Sequence, residues 1–155
     1  MKIAVLAWGS LFWNPGDLRI ADKFEPTGPR LPIEFCRISS DGRLTLVIDE
    51  ANGAECIVDV VHRKSSVISV KRHPKSTEKI RVWAISSGYD AVIWTALGRK
   101  FKDAVAVAFS VDAALNYLKA LDSPSLSKAL EYVRLAPPEV QTPVREAVNR
   151  SWPST

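Results

Sequence analysis

The apolar runs of this chain change character along its length, and this change constrains the fold more than any other feature. Short, β-branched runs fill the first two thirds of the sequence and predict strands, whereas the last third has apolar residues at helical spacing. Strands grouped before helices favour an α+β arrangement over a regularly alternating parallel sheet. Such strands could also close into a small mixed β-barrel with peripheral helices. The predicted strands are Ile3–Ala7, 31–39, 43–49, 54–61, 80–85 and 89–97, and the predicted helices are 112–121, 125–135 and 143–148.

Several local signals sharpen these predictions. Asp41-Gly42 separates two strand-like runs and tolerates the positive φ of a tight turn, so 31–49 is predicted to form a hairpin. Ser110 and Ser123 are predicted to cap the first two helices, because a hydroxyl can accept from first-turn amides. Pro137-Pro138 should end the second helix. Residues 65–70 are compatible with either a helix or a strand.

Length and composition limit the class of protein. With 155 residues, of which 46% are hydrophobic, the chain is expected to form one domain over 1–155 with one core. No apolar stretch approaches the ~20 residues of a membrane helix, so no membrane partner is expected. Cys36 and Cys56 lack metal-site spacing and suggest buried thiols in a cytoplasmic protein, with a single disulfide between them as the lesser alternative.

Positive charge is concentrated in one segment. Seven Lys or Arg residues and one acid, Glu78, lie within 63–81, whereas the whole chain has a net charge of +4. A solvated charged surface is the commoner meaning of such a segment, although it can attract anions or nucleic acid.

The first predicted strand leads into a Gly-Ser loop, Trp8-Gly9-Ser10-Leu11. Glycine lets the backbone approach a ligand, and successive amides in such a turn can converge on a carboxylate or an oxyanion. A simple tight turn would produce the same pattern, so the loop alone does not define a site.

The wider string 7–15, AWGSLFWNP, resembles the YGSL-x-W-x-P opening of γ-glutamylcyclotransferase-like proteins. Segments 28–39, 41–47, 88–95 and 136–143 are similar to a bacterial branch of that family, so the resemblance extends over nearly the whole chain. It implies a mixed barrel with a cavity at the end of the first strand, and a reaction that needs no metal or cofactor. In that reaction the α-amine of a γ-glutamyl compound attacks its own γ-carbonyl and releases 5-oxoproline. Trp8, Gly9, Ser10 and Leu11 would then bind the substrate.

The chain departs from the family pattern at two positions. Trp8 stands where the family has Tyr, which keeps an aromatic wall but loses a hydroxyl. Counting back from Ile80, taken as part of a strand, His73 occupies the place of the catalytic glutamate. A neutral imidazole, which titrates near ~6.5, could act as the base instead. The alternative is a site that has lost the reaction and keeps a pocket for a ligand.

Other residues are weaker candidates for the site. Arg37 could bind a carboxylate, because its planar guanidinium matches the two oxygens. Glu78 would reach the cavity in a different register of its segment, and the further acids on or beside the predicted hairpin are Glu34, Asp49 and Glu50, none of which belongs to a motif.

Three functions therefore remain open from sequence. The first is a cyclotransferase-like protein that binds, and could cyclise, a small γ-glutamyl compound. The second is a non-catalytic small-molecule-binding member of the same fold. The third is weak nucleic-acid binding through 63–81, which is not favoured because that segment lacks aromatic residues for base stacking.

Overall fold

The computed structural model describes residues 2–18, 22–63 and 73–153. Within these ranges the fold is α+β, with two three-stranded sheets and five helices, and the sheets do not close into a barrel. The α+β prediction is confirmed and the barrel is not formed. In chain order the elements are β1 (Ile3–Ala7), β2 (Arg30–Ile38), β3 (Leu44–Ile48), β4 (Ala54–Ile57), β5 (Asp59–Arg63), α1 (Pro74–Ser86), β6 (Ala91–Ile93), α2 (Phe101–Val105), α3 (Val111–Lys119), α4 (Ser123–Leu135) and α5 (Pro143–Ser151).

The first sheet is built around β1, whose predicted bounds are confirmed. This strand pairs antiparallel with β5 on one side and parallel with β6 on the other, in the order β5-β1-β6. All five β1 residues are buried, as expected for a central strand covered on both faces. The end of β1, where the Gly-Ser loop begins, is therefore covered by other parts of the protein.

The second sheet contains the predicted hairpin. Strands β2 and β3 pair antiparallel, and Gly42 in the turn has φ +79°, the left-handed conformation that favours glycine. Ser39 N–H donates to the Arg43 carbonyl at 3.0 Å and closes the turn. The strand β4 pairs with the other edge of β2, which gives the order β3-β2-β4.

The predicted strand 54–61 is two strands that belong to different sheets. Residues 54–57 pair with β2, whereas residues 59–63 pair with β1. Val58 lies between them and is completely buried. The continuous apolar run hides this change because both halves are buried in the same core.

The strand prediction for 80–85 is wrong, since these residues lie in α1. Ile80 and Ala84 are buried one turn apart, whereas Val82 and Ile85 are 54% and 65% exposed. The helix begins at Pro74, and the Glu50 carboxylate accepts from Ser76 N–H at 2.7 Å in its first turn. This capping carboxylate comes from a distant part of the sequence, and the local signal for the start of the helix is Pro74 in its first turn.

The strand prediction for 89–97 is too long, because only Ala91–Ile93 pairs with β1. The chain continues without strand or helix to Lys100, and the short helix α2 was not predicted. Residues 65–70, which sequence left open between helix and strand, lie outside the described residues.

The three C-terminal helices agree closely with prediction. The Ser110 hydroxyl accepts from Ala113 N–H and caps α3, as predicted. The cap of α4 is Asp122 rather than Ser123, because the Asp122 carboxylate accepts from Ser125 N–H. Helix α5 extends three residues beyond the predicted end, to Ser151.

Both cysteines are buried and free, so the buried-thiol prediction is confirmed and the disulfide is not formed. No helix in the described ranges has the length and apolar character required to span a membrane.

A buried arginine fixes the loop between α4 and α5. Arg145 is 8% exposed, and its guanidinium donates to the carbonyls of Ala136 at 2.8 Å and Val140 at 2.9 Å, and also to that of Pro137. The Pro137 carbonyl also accepts from Val140 N–H at 3.0 Å, so Arg145 is the side chain that supplies donors to the carbonyls of Ala136 and Val140 and a second donor to that of Pro137.

We predict that Arg145→Met lowers the free energy of unfolding by about 3 kcal/mol, because several buried carbonyls lose their donors at once. Urea unfolding measures the effect. The matched control is Arg150→Met in the same helix, which removes an exposed ion pair with Glu146 and is expected to cost less than about 0.5 kcal/mol. Equal losses in the two variants would contradict the role of Arg145.

Candidate functional site

The Gly-Ser loop follows β1 as predicted and forms a compact turn. Phe12 N–H donates to the Gly9 carbonyl at 2.8 Å, and Asn14 N–H donates to the Ser10 carbonyl at 2.7 Å. Trp8 is only 3% exposed and packs in the hydrophobic core, so it is not an open cavity wall. Ser10 is exposed and Leu11 is half-buried.

Tyr132 of α4 occupies the space beside this loop, where the family resemblance implied a cavity. A Cβ atom placed on Gly9 would lie 2.7 Å from the Tyr132 hydroxyl oxygen and 3.9 Å from the Leu46 Cβ. The Tyr132 ring packs edge-on against Trp13, with 5.0 Å between ring centroids. The backbone at Gly9 therefore meets a phenol rather than an empty hollow.

Burial raises the pKa of Tyr132, although the backbone of Ser10 and Leu46 and the charge of Arg43 act in the opposite direction. The phenol therefore stays protonated at neutral pH and keeps its capacity to donate.

A cleft of about 460 Å³ opens next to Tyr132, and we refer to it as the Tyr132 cleft. Its walls combine two aromatic side chains with two cations and two carboxylates. The Arg43 guanidinium lies 5.4 Å from the centroid of the Tyr132 ring, and its Nε is 2.7 Å from the Asp41 carboxylate. The lining residues are Trp13, Asp41, Arg43, Lys128, Glu131, Tyr132 and Leu135.

The Asp41 carboxylate in this cleft is a weak base. Hydrogen bonds from the Ser39 hydroxyl and from Arg43 hold its pKa below the usual range, despite a smaller opposing effect of burial. Asp41 is therefore suited to bind a cation rather than to remove a proton.

His73 lies at the start of α1, away from the contacts of the Gly-Ser loop. Its carbonyl accepts from Thr77 N–H at 2.8 Å, and its imidazole Nε2 is buried without a hydrogen-bond partner among the described residues. Its charge acts on Glu50, the carboxylate that caps α1. Ile80 is helical, so the strand register that assigns His73 to the glutamate position is not formed.

Arg37 does not reach the Tyr132 cleft. It lies on β2, where its Nη1 donates to the Gly98 carbonyl at 3.3 Å. Arg43, for which the sequence left cavity and solvent orientations equally open, supplies the guanidinium of the cleft instead.

Three of the predicted acids stabilise turns or helix starts. The buried Glu34 accepts from its own neighbour Phe35 N–H at 2.7 Å and approaches Val144 N–H in α5, and burial raises its pKa. Asp49 accepts from Ala51 N–H at 3.0 Å. Glu50 accepts from the Ser76 backbone and hydroxyl, and these bonds lower its pKa against the effect of burial.

The fourth predicted acid, Glu78, is exposed and forms an ion pair with Arg81. It lines a groove on α1 that is separate from the Tyr132 cleft.

Asp59 is, with Asp41 and Glu131 of the cleft, a carboxylate that was not among the predicted site acids. It lies opposite Ala7 at the end of β1, it is 2% exposed, and its Oδ2 has no hydrogen-bond partner among the described residues. Burial, with a smaller contribution from the Glu139 charge, raises its pKa from 3.8 to about 6. The available signal was an acid inside the β-branched run Val58-Asp59-Val60.

Asp59 and the Tyr132 cleft lie on different sides of β1. Paired residues of neighbouring strands share a face, so Asp59 is on the Ala7 face. Leu6 and Trp8 point to the opposite face, into the core that also contains Tyr132.

No group of three or more His, Cys, Asp or Glu side chains in the described ranges is arranged to hold a metal ion. Comparisons with models of protein families, with curated proteins and with solved structures give no match to this chain.

We predict that Asp59→Asn stabilises the protein at pH 7 by up to about 3 kcal/mol, from a pKa difference of about two. The folded protein holds a proton that the unfolded chain loses between pH 3.8 and about 6, so wild-type stability falls as pH rises through this interval. Urea unfolding at several pH values measures the difference.

The gain from Asp59→Asn should shrink as the pH falls toward 4. Glu139→Gln provides a second variant. Removal of the neighbouring negative charge should lower the pKa of Asp59 in the folded protein, so the fall in stability should end at a lower pH. A gain that does not vary with pH would contradict an elevated pKa at Asp59.

Proposed function

We propose that this protein is γ-glutamylcyclotransferase-like and binds a small γ-glutamyl or similar amino-acid-like compound in the Tyr132 cleft. The observation that carries the proposal is the pairing of two cations with two carboxylates around aromatic walls, directly beside the Gly-Ser loop. A compound that carries both an ammonium group and a carboxylate is complementary to such a lining.

Each part of such a ligand has a matching group in the cleft. Arg43 and Lys128 are suited to a carboxylate, since charged donors form the strongest hydrogen bonds to it. Asp41 and Glu131 are suited to the ammonium group. Trp13 and Tyr132 offer apolar surface for the aliphatic part, which lies between the two charged ends of a γ-glutamyl compound.

Binding without turnover fits the acid–base properties of the cleft. Cyclisation forms a bond between the α-amine nitrogen and the γ-carbonyl carbon and breaks the amide bond, and the ammonium proton must first be removed. The lowered pKa of Asp41 and the raised pKa of Tyr132 leave both groups unsuited to act as that base near neutral pH.

Cyclisation is the second candidate function, and Asp59 favours it. A carboxylate with a pKa of about 6 is well matched to proton removal near neutrality. Its position on the Ala7 face of β1 ranks this candidate below simple binding, because the ligand would have to reach the other side of the strand.

We predict that γ-glutamyl amides and γ-glutamyl dipeptides bind the purified protein, as measured by calorimetry and by an increase in thermal stability. Arg43→Gln and Lys128→Gln should each weaken binding by about tenfold, the value of one charged hydrogen bond. Arg150→Gln is the control, since this exposed arginine does not line the cleft. Binding that is absent in the wild type, or equal in all variants, would refute the proposal.

Measurement of 5-oxoproline with the same compounds separates the two candidates. Binding without 5-oxoproline supports the non-catalytic function. If the wild type releases 5-oxoproline, and if Asp59→Asn abolishes this release but still binds the compounds, then cyclisation replaces simple binding as the function.

A further inference from the structure

A second cavity lies beside α1 and shares no lining residue with the Tyr132 cleft. It is a groove of about 590 Å³ between α1 and the segment Gly28-Pro29-Arg30, and we call it the α1 groove. Volumes of this size accommodate ligands of drug-like dimensions. Its lining residues are Gly28, Pro29, Arg30, Lys75, Glu78, Lys79, Val82, Trp83 and Ser86, none of which lines the Tyr132 cleft.

The α1 groove contains an aromatic ring held in a fixed orientation. The Trp83 indole Nε1–H donates to the Thr27 carbonyl at 3.1 Å, and Tyr89 stacks on the indole with 5.1 Å between centroids and 27° between planes. Val82, in the same wall, is 54% exposed and adds apolar surface beside the indole. A planar apolar group would therefore find a preorganised surface at little cost in side-chain entropy.

Positive charge surrounds this apolar surface. Arg30, Lys75 and Lys79 line the groove together with one acid, Glu78. Glu78 is already paired with Arg81, Lys79 is paired with Glu55, and the charge of Lys75 acts on Glu50, so four cations and three carboxylates give a local net charge of +1.

Two of the cations also repel each other. Lys75 and Lys79 are one helical turn apart on the same side of α1, a spacing at which like charges are destabilising. The ion pair of Lys79 with Glu55 offsets part of this repulsion, and an anion in the groove would offset more of it.

We propose that the α1 groove binds a small planar aromatic anion, with its ring against Trp83 and its carboxylate or phosphate beside Lys75, Lys79 and Arg30. This site is independent of the proposed function, since the two cavities share no lining residue. The same chemistry could come from an aromatic carboxylate or from a nucleotide, and the two are separated by the test.

The probes are 2-naphthoate and AMP, each compared by calorimetry with its uncharged counterpart, 2-naphthamide or adenosine. At low salt the anion of at least one pair should bind about tenfold more tightly than the neutral compound. The pair with the tighter anion identifies carboxylate or phosphate as the preferred group. Equal affinity within both pairs, or no saturable binding by either anion, would overturn the proposal.

A double variant tests the cations directly. Lys75→Gln with Lys79→Gln should weaken anion binding by about tenfold or more. The control is Lys102→Gln with Lys119→Gln, which changes net charge equally at exposed positions on α2 and α3 outside the groove. If both double variants lose the same affinity for the anion, overall charge explains the loss and the proposal is overturned.

The location of the bound anion can be read from the indole N–H signals in a ¹⁵N NMR spectrum, with Trp83→Phe and Trp13→Phe used for assignment. The Trp83 signal should shift on titration, whereas the Trp13 signal, which reports on the Tyr132 cleft, should not. A shift confined to Trp13 would place the anion in the other cavity and refute this site, without bearing on whether γ-glutamyl compounds bind there.

Discussion

The close approach of the Gly9 backbone to the Tyr132 hydroxyl links three parts of the fold. Gly9 follows β1 in the first sheet, Leu46 in β3 belongs to the second sheet, and Tyr132 belongs to α4, and all three meet at this point. Any larger residue would force a shift, because its Cβ would lie 2.7 Å from the phenol oxygen. Space rather than backbone conformation requires the glycine, since Gly9 is not among the residues of positive φ. The same contact fixes Tyr132 as the inner wall of the cleft.

The carboxylates around this framework differ in how burial is compensated. The buried Asp49 and the half-buried Glu50 accept backbone N–H groups, which lower their pKa values against the effect of burial. In the buried Glu34 the effect of burial exceeds that of its N–H donors, so its pKa is raised. Asp59 has no donor at Oδ2 among the described residues, and burial raises its pKa to about 6. Its charge lowers the stability of the folded state as the pH rises toward 6, which makes Asp59 a candidate for a role other than stability.

Sequence predicted the elements whose signals are local. The strand β1, the hairpin around Asp41-Gly42 and the helices α3 to α5 have periodicity, turn residues or caps within their own segments. Prediction from the sequence was wrong where a residue far away along the chain determines the local structure. Residues 80–85 alternate like a strand, and the carboxylate that caps α1 comes from Glu50, 26 residues before Ser76. The position of the Gly-Ser loop at the end of β1 is predicted correctly. The side chain that fills the space beside this loop, Tyr132, is more than 120 residues away along the chain, so the sequence predicts a cavity where the structure has a phenol.

A double-mutant cycle between Gly9 and Tyr132 tests most directly whether the loop rests on the phenol. Gly9→Ala should lower the free energy of unfolding by about 1–3 kcal/mol in the wild type, because the added methyl group collides with the hydroxyl. In a Tyr132→Phe background the nearest ring carbon is 3.8 Å away, an ordinary contact, so Gly9→Ala should cost much less. If Gly9→Ala costs the same in both backgrounds, the loop does not rest on the Tyr132 hydroxyl and the cleft described above is not bounded as proposed.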